Sequence, residues 1–258
     1  MAYTSTVDEE RPQRLSRGWS EVVLVAGVYV TYTVMRVVVE GPRERAIENA
    51  HTVLGWERTL GVDWERSAQG WMLEWPAAIR FWNFVYGWVY WAVIAIPLLL
   101  LWRTDRTRYY LLRNTLTIAA GVGLVIFALF PTSPPRFLDG YVDTLAVEGD
   151  RLLAERGAFV NEYAAVPSFH VGWPAVAGLI IAWRSTRISV WLAAFVPTTL
   201  LALAVVFTGN HFLFDIFAGI GVSLAALLAA YIVTPSTAGE GHDERATSPA
   251  RTSPPSSP

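Results

Sequence analysis

Six apolar runs, each at or near the length that crosses a bilayer, dominate this chain and leave little choice of fold. A spanning helix needs about 20 mostly apolar residues, with a range of roughly 17 to 25. The runs at 22–39, 81–102, 111–130, 188–208 and 212–233 meet that length. The run at 171–183 is short, so either its start lies below the membrane surface or its ends extend into flanking residues. Composition agrees, since 53% hydrophobic and 16% charged over 258 residues is far too apolar for an ordinary soluble domain. The expected fold is all-α: a polytopic membrane protein whose six-transmembrane-helix bundle occupies 21–233. The flanking stretches 1–20 and 234–258, the latter rich in Ser, Thr, Pro and Gly, are expected to be disordered tails.

The first run ends at Glu40-Gly41-Pro42, and Arg36 is close enough to that end to snorkel. Asp8, Glu9 and Glu10 precede the run and no small-residue cleavage pattern follows it, so it is expected to stay as an anchor. Between spans one and two, the segment 42–75 places Ile47, Ala50 and Leu54 at helical spacing opposite Glu44, Glu48 and His51. That pattern predicts an interfacial amphipathic helix, with Trp56, Trp64, Trp71 and Trp75 as headgroup-level anchors. The short linkers 103–113 and 184–187 are dense in Arg, and Arg11, Arg14 and Arg17 lie on the same side, which marks it as cytoplasmic. Both termini are then inside, and 40–79, 131–170 and the turn Gly209-Asn210-His211 face outward.

Several function classes fall away. The chain has no cysteine, which removes thiolate chemistry and disulfides. Every basic residue is Arg, the usage of a GC-rich genome, so a lysine Schiff base is excluded. A net charge of -2 gives no footprint for nucleic acid.

Three polar stations converge on one membrane face: Pro131-Thr-Ser-Pro-Pro-Arg136, Pro167-Ser-Phe-His170, and Gly209-Asn-His211 followed by Asp215. His211 and Asp215 are four residues apart on an expected helix, hence on one face with about 5 to 6 Å between Cβ atoms. A carboxylate accepting the Nδ1 proton fixes the tautomer and leaves Nε2 as a nucleophile or base. Ser168 reads as an N-cap, and free N–H groups at a helix start favour phosphate oxygens. His170 can donate a proton to a leaving oxygen and later activate an acceptor. Arg136 is the natural phosphate clamp. Asn210, and Asn83 with Tyr86 on one helical face, are candidate headgroup contacts, with packing or capping as the competing reading. The other readings are polar glue or a metal-site remnant for His211 and Asp215, a structural role for His170 and snorkelling for Arg136. No His-Glu-x-x-His or clustered carboxylate pattern suggests a metal, and no cofactor is expected.

These residues resemble the three motifs of the type 2 phosphatidic acid phosphatase superfamily: Lys-x6-Arg-Pro, Pro-Ser-Gly-His and Ser-Arg-x5-His-x3-Asp. The resemblance implies that His211 attacks phosphorus, Asp215 supports it, His170 is the acid, and Ser168 and Arg136 contact phosphate. The chain departs from those motifs at Leu129, Phe137, Phe169, Ala204 and Val205, so two cations of the pattern are missing. The wording Pro-Thr-Ser-Pro-Pro-Arg, Pro-Ser-Phe-His-Val-Gly-Trp and Thr-Gly-Asn-His-Phe-Leu-Phe-Asp resembles the branch with inositol phosphorylceramide synthases. That implies a membrane phosphatase or phosphotransferase acting on a phospholipid in a bacterial plasma membrane, with the active site at the outer face. Two alternatives stay open: an isoprenyl-diphosphate phosphatase, and an inert lipid-binding or transport protein that kept the phosphate pocket.

Overall fold

The computed structural model describes residues 10–148 and 161–234; of the two expected tails, 1–9 and 235–258 lie outside the described residues, while 10–20 is helical, as the start of α1, and not disordered as expected. Among the described residues the regular structure is helical, apart from one isolated parallel bridge between Thr132 and Ala164. The helices are α1 (Glu10–Val38), α2 (Arg43–Leu60), α3 (Glu65–Leu73), α4 (Pro76–Phe84), α5 (Tyr90–Thr104), α6 (Arg106–Leu129), α7 (Thr144–Glu148), α8 (Phe169–Ala182), α9 (Ile188–Phe207) and α10 (Leu213–Val233). A π-helical turn, Val85–Val89, joins α4 to α5 in one continuous rod.

Five segments are long and apolar enough to cross a membrane: Gly18–Val38, Pro76–Thr104, Arg106–Leu129, Ile188–Phe207 and Leu213–Val233. The 14 residues of α8 form the sixth apolar helix. At 1.5 Å per residue α8 is only about 21 Å long, against a hydrocarbon core of about 30 Å. The shortness anticipated for 171–183 is therefore real, and burial compensates for it. α8 packs along both α9 and α10, α10 packs on α6, and most residues of α8 are buried.

Two expected boundaries change. The second span begins at Pro76 rather than at residue 81, because Pro76 at the first helical position starts α4 after Trp75. The amphipathic segment is two helices, broken where Gly61 takes a left-handed φ of 70° to cap α2. The predicted face of α2 is otherwise as expected: Ala46, Ala50, Val53 and Leu54 are buried, while Glu44, Glu48 and His51 are exposed. Trp56, Trp64, Trp71 and Trp75 are all exposed, as membrane anchors would be.

Small residues set how closely α8 and α10 approach. Gly172 faces the Gly219 carbonyl, and Gly219 faces the Ser168 backbone, so helix backbone lies against helix backbone. A methyl group on Gly219 would overlap the Ser168 carbonyl, which cannot move as a side chain can. Gly219→Ala should lower stability by about 1 to 3 kcal/mol through overpacking. Thermal unfolding of the detergent-solubilised protein measures it, and an unchanged midpoint would contradict this backbone contact.

Candidate active site

Backbone hydrogen bonds stitch the three polar stations together. The Thr132 N–H donates to the Tyr163 carbonyl at 2.7 Å, and the Ala165 N–H to the Thr132 carbonyl at 3.1 Å, joining the first station to the strand leading into the second. The Arg136 N–H donates to the Gly209 carbonyl at 2.8 Å, joining the first to the third. The Ser168 N–H donates to the Asp215 carbonyl at 2.9 Å, joining the second to the third. The turn between α9 and α10 needs Gly209, whose φ of 68° is left-handed, and the N–H groups of Asn210 and His211 both return to the Val205 carbonyl.

Asp215 is fully buried in the first turn of α10. Its Oδ2 accepts the Phe212 N–H at 2.9 Å, so the carboxylate caps the helix, and the same oxygen lies 3.2 Å from His211 Nδ1. The expected contact is present, but His211 stands just before the N-cap Phe212, in the turn that leads into α10 and not on the helical face expected from the spacing. Burial and the nearby Arg136 charge hold His211 well below its usual range, at about 3, against the opposing Ala165 carbonyl. The ring is neutral at physiological pH.

His170 opens α8, and its ring centroid is 5.7 Å from that of His211. Tyr86 stacks on it at 4.6 Å and Tyr90 lies tilted at 4.4 Å. Tyr86 lies within the π-helical turn and Tyr90 directly follows it, so the wider coil sits where the rod faces His170. The two histidines, Arg136, Asn210 and Tyr86 share a cavity of about 620 Å³. Aromatic side chains, among them Tyr29, Trp91 and Trp173, line the rest of it.

Arg136 is held on several sides. It donates through Nη1 to Asn210 Oδ1, pairs through Nε with Asp143 Oδ2 at 3.4 Å, and lies over the Phe137 ring. Asn210 is fixed in turn by its own bond to Thr208 Oγ1 at 2.7 Å. The other two sequence candidates lie apart from the cavity lining. Ser168 occupies the N-cap position of α8 without a side-chain cap, and its buried hydroxyl has no hydrogen-bond partner. Asn83 exchanges hydrogen bonds with Thr144 and so ties α4 to α7. Where the resembled motifs carry cations, Leu129 is exposed and Val205 is packed in the core. Among the described residues no three His, Cys, Asp or Glu side chains cluster as a metal-ligand set.

A model of the PAP2 superfamily matches residues 51–229, a stretch that takes in all three stations. The chain belongs to the PAP2 superfamily. Membership supports a phosphatase or phosphotransferase type of activity, to which the histidines and Arg136 are chemically suited. Comparison with curated proteins and with solved structures finds no further match.

Sequence reasoning missed residues that this PAP2 site brings together. Tyr90 gave no signal beyond its place in an apolar run. Arg36 was read as snorkelling from its position near a span end, yet it lines the same cavity, and its Nε is buried. It lies before the stretch matched by the family model. Glu57 and Glu65, on α2 and α3, were not singled out from the sequence and are buried. Glu57 Oε1 accepts the Phe214 N–H at 2.7 Å and Glu65 Oε1 accepts the Leu213 N–H at 2.9 Å. With Asp215, three carboxyl groups therefore satisfy successive orphan N–H groups at the start of α10 and fix the helix that carries the His211 partner.

That concentration of carboxyl groups has a pH signature. Burial, with the facing Glu65 and Asp215 carboxyl groups, pushes Glu57 up from 4.5 to about 8, against the pull of the Phe214 N–H. The folded chain holds this proton more tightly than the unfolded chain, so the contribution is full below about 4.5 and is lost as pH rises through about 8. Glu57→Gln keeps an acceptor for Phe214 and removes the ionisation. Thermal unfolding across this window should show wild-type stability falling with pH more steeply than the variant's, and parallel curves would contradict the assignment.

Proposed function

We propose that this chain is a membrane lipid-phosphate phosphatase or phosphotransferase that works through a covalent phosphohistidine on His211, without a metal ion. The observation that carries the reading is the His211 ring, its Nδ1 3.2 Å from the Asp215 carboxyl group, inside a cavity shared with His170 and Arg136. Nδ1 donates to the carboxylate, so Nε2 keeps the lone pair and attacks phosphorus in line with the leaving oxygen. Asp215 stabilises the positive charge that develops on the ring. His170 gives its proton to the leaving oxygen, then takes one from the incoming water or alcohol, whose oxygen displaces Nε2 and restores the enzyme. Arg136 neutralises charge on the phosphoryl oxygens throughout. Positioning and electrostatics supply most of the rate in such a site.

The substrate is a phospholipid headgroup phosphoester. The aromatic part of the cavity suits the lipid end, and the polar end between Arg136 and the histidines suits the phosphate. The motif wording that resembles inositol phosphorylceramide synthases supports transfer to an alcohol acceptor beside hydrolysis. In the bilayer, α8 would be the sixth span, recessed from the outer face so that His170 lies below the headgroups. The Arg-rich linkers at 103–113 and 184–187 support a cytoplasmic placement of that side, with both termini inside a bacterial plasma membrane.

His211→Ala should abolish phosphate release and headgroup transfer, with folded yield unchanged, when purified protein is offered phosphatidic acid, phosphatidylinositol and isoprenyl diphosphates. Wild-type turnover should survive a chelator. Retained turnover in the variant, or strict dependence on a divalent ion, would sink the mechanism.

A further inference from the structure

We propose that Arg36, from the first span, is a phosphate-binding residue that completes the cationic side of the active site together with Arg136. The inference rests on the phosphoryl-transfer reading above and adds a residue that lies before the region matched by the PAP2 family model.

Placement comes first. Tyr29, Tyr32, Thr33 and Arg36 recur at helical spacing on α1 and all line the cavity, so one face of the first span forms a wall of the site. Arg36 lies at the end of that wall reached by the loop residue Asn161. Tyr29 packs edge-on against Trp91, and Tyr32 lies against Trp173, which anchors the wall across the cavity. Two further contacts hold Arg36 itself in place. Asn161 Nδ2 donates to the Arg36 carbonyl at 2.8 Å, and the guanidinium lies 5.9 Å from the centre of the Phe127 ring. Neither contact uses Nε, which is buried without a hydrogen-bond partner. Among the described residues, the one polar contact of the guanidinium is a long bond from Nη2 to the Asn161 carbonyl at 3.4 Å.

Charge balance gives the reason for such an arrangement. Arg36 and Arg136 are the cations among the cavity-lining residues. Arg136 is paired with Asp143, so it brings little net positive charge to an incoming phosphate. Among the described residues, Arg36 has no carboxylate within ion-pair distance. A guanidinium partly withdrawn from water with neither counter-charge nor full hydrogen bonding is costly unless an anion arrives to pair with it. A phosphoryl group supplies that charge and accepts two parallel N–H bonds. Both guanidiniums line the cavity that holds the two histidines, so a phosphoryl group bound there shares it with two cations.

The test is binding of inorganic phosphate and of orthovanadate to the full chain in the His211→Ala background, so that no turnover is needed. Arg36→Ala and Arg36→Gln are compared by competition against a fluorescent lipid phosphate. Helix content and elution volume serve as controls for folding. The backbone tie from Asn161 survives both substitutions, since it uses the Arg36 carbonyl. Each variant should bind phosphate about tenfold to a hundredfold more weakly while remaining folded, the loss expected for a hydrogen-bonded charge pair. Arg36→Lys, which keeps the charge but not the fork, should fall between them and the parent. Equal phosphate binding in folded Arg36→Ala would overturn the proposal while leaving the phosphate site intact. Failure of the parent to bind either anion would overturn the proposal and the phosphoryl-transfer reading together. Loss of fold in both neutral variants would assign Arg36 a structural role and overturn it as well.

Discussion

Asp215 is the point on which the site depends. One carboxylate oxygen closes the first turn of α10 through Phe212 and orients His211, while the backbone carbonyl of the same residue receives the Ser168 N–H at the head of α8. The helix start and both histidine-bearing segments are therefore positioned by one buried residue. The carboxylate could not sit there without those donors, because a buried, unpaired charge is far too costly. Glu57 and Glu65 extend the same device from α2 and α3 to the next two N–H groups. The helices outside the bundle act as a brace for its catalytic end.

At 14 residues, α8 is shorter than the hydrocarbon core of a bilayer. Helix α8 is buried among α6, α9 and α10, and its start hangs from the loop that Thr132 and Tyr163 hold in place. Close backbone contact with α10, permitted by Gly172 and Gly219, sets the separation of the two histidines. In such a largely enclosed place, field strength from a few fixed charges counts for more than it would in water.

How much of this was legible in the chain depends on whether the signal was local. The contact between His211 and Asp215 could be read from their spacing, although His211 stands before the helix and not on its face, and the apolar lengths of five spans could be read directly. The convergence of the three stations needed only the alternation of spans across the membrane. Arg36 was misread because a basic residue near a span end usually reaches for water, and only the Asn161 loop and Phe127 reveal that it faces inward. Glu57 gave no sequence signal because its N–H partner is 157 residues away. The break between α2 and α3 depends on the backbone of Gly61, which apolar periodicity does not register. Ser168 and Asn83, polar residues at suggestive positions, are buried outside the residues that line the cavity.

A covalent bond from His211 Nε2 to phosphorus is the claim on which the chemistry stands. It is tested most directly by quenching the wild-type protein in alkali during turnover of phosphatidic acid and mapping its peptides by mass spectrometry. The peptide carrying His211 should gain the mass of one phosphoryl group early and lose it as substrate is exhausted. A phosphoryl group found on His170 instead, or an unmodified His211 at every time point while product accumulates, would contradict the mechanism.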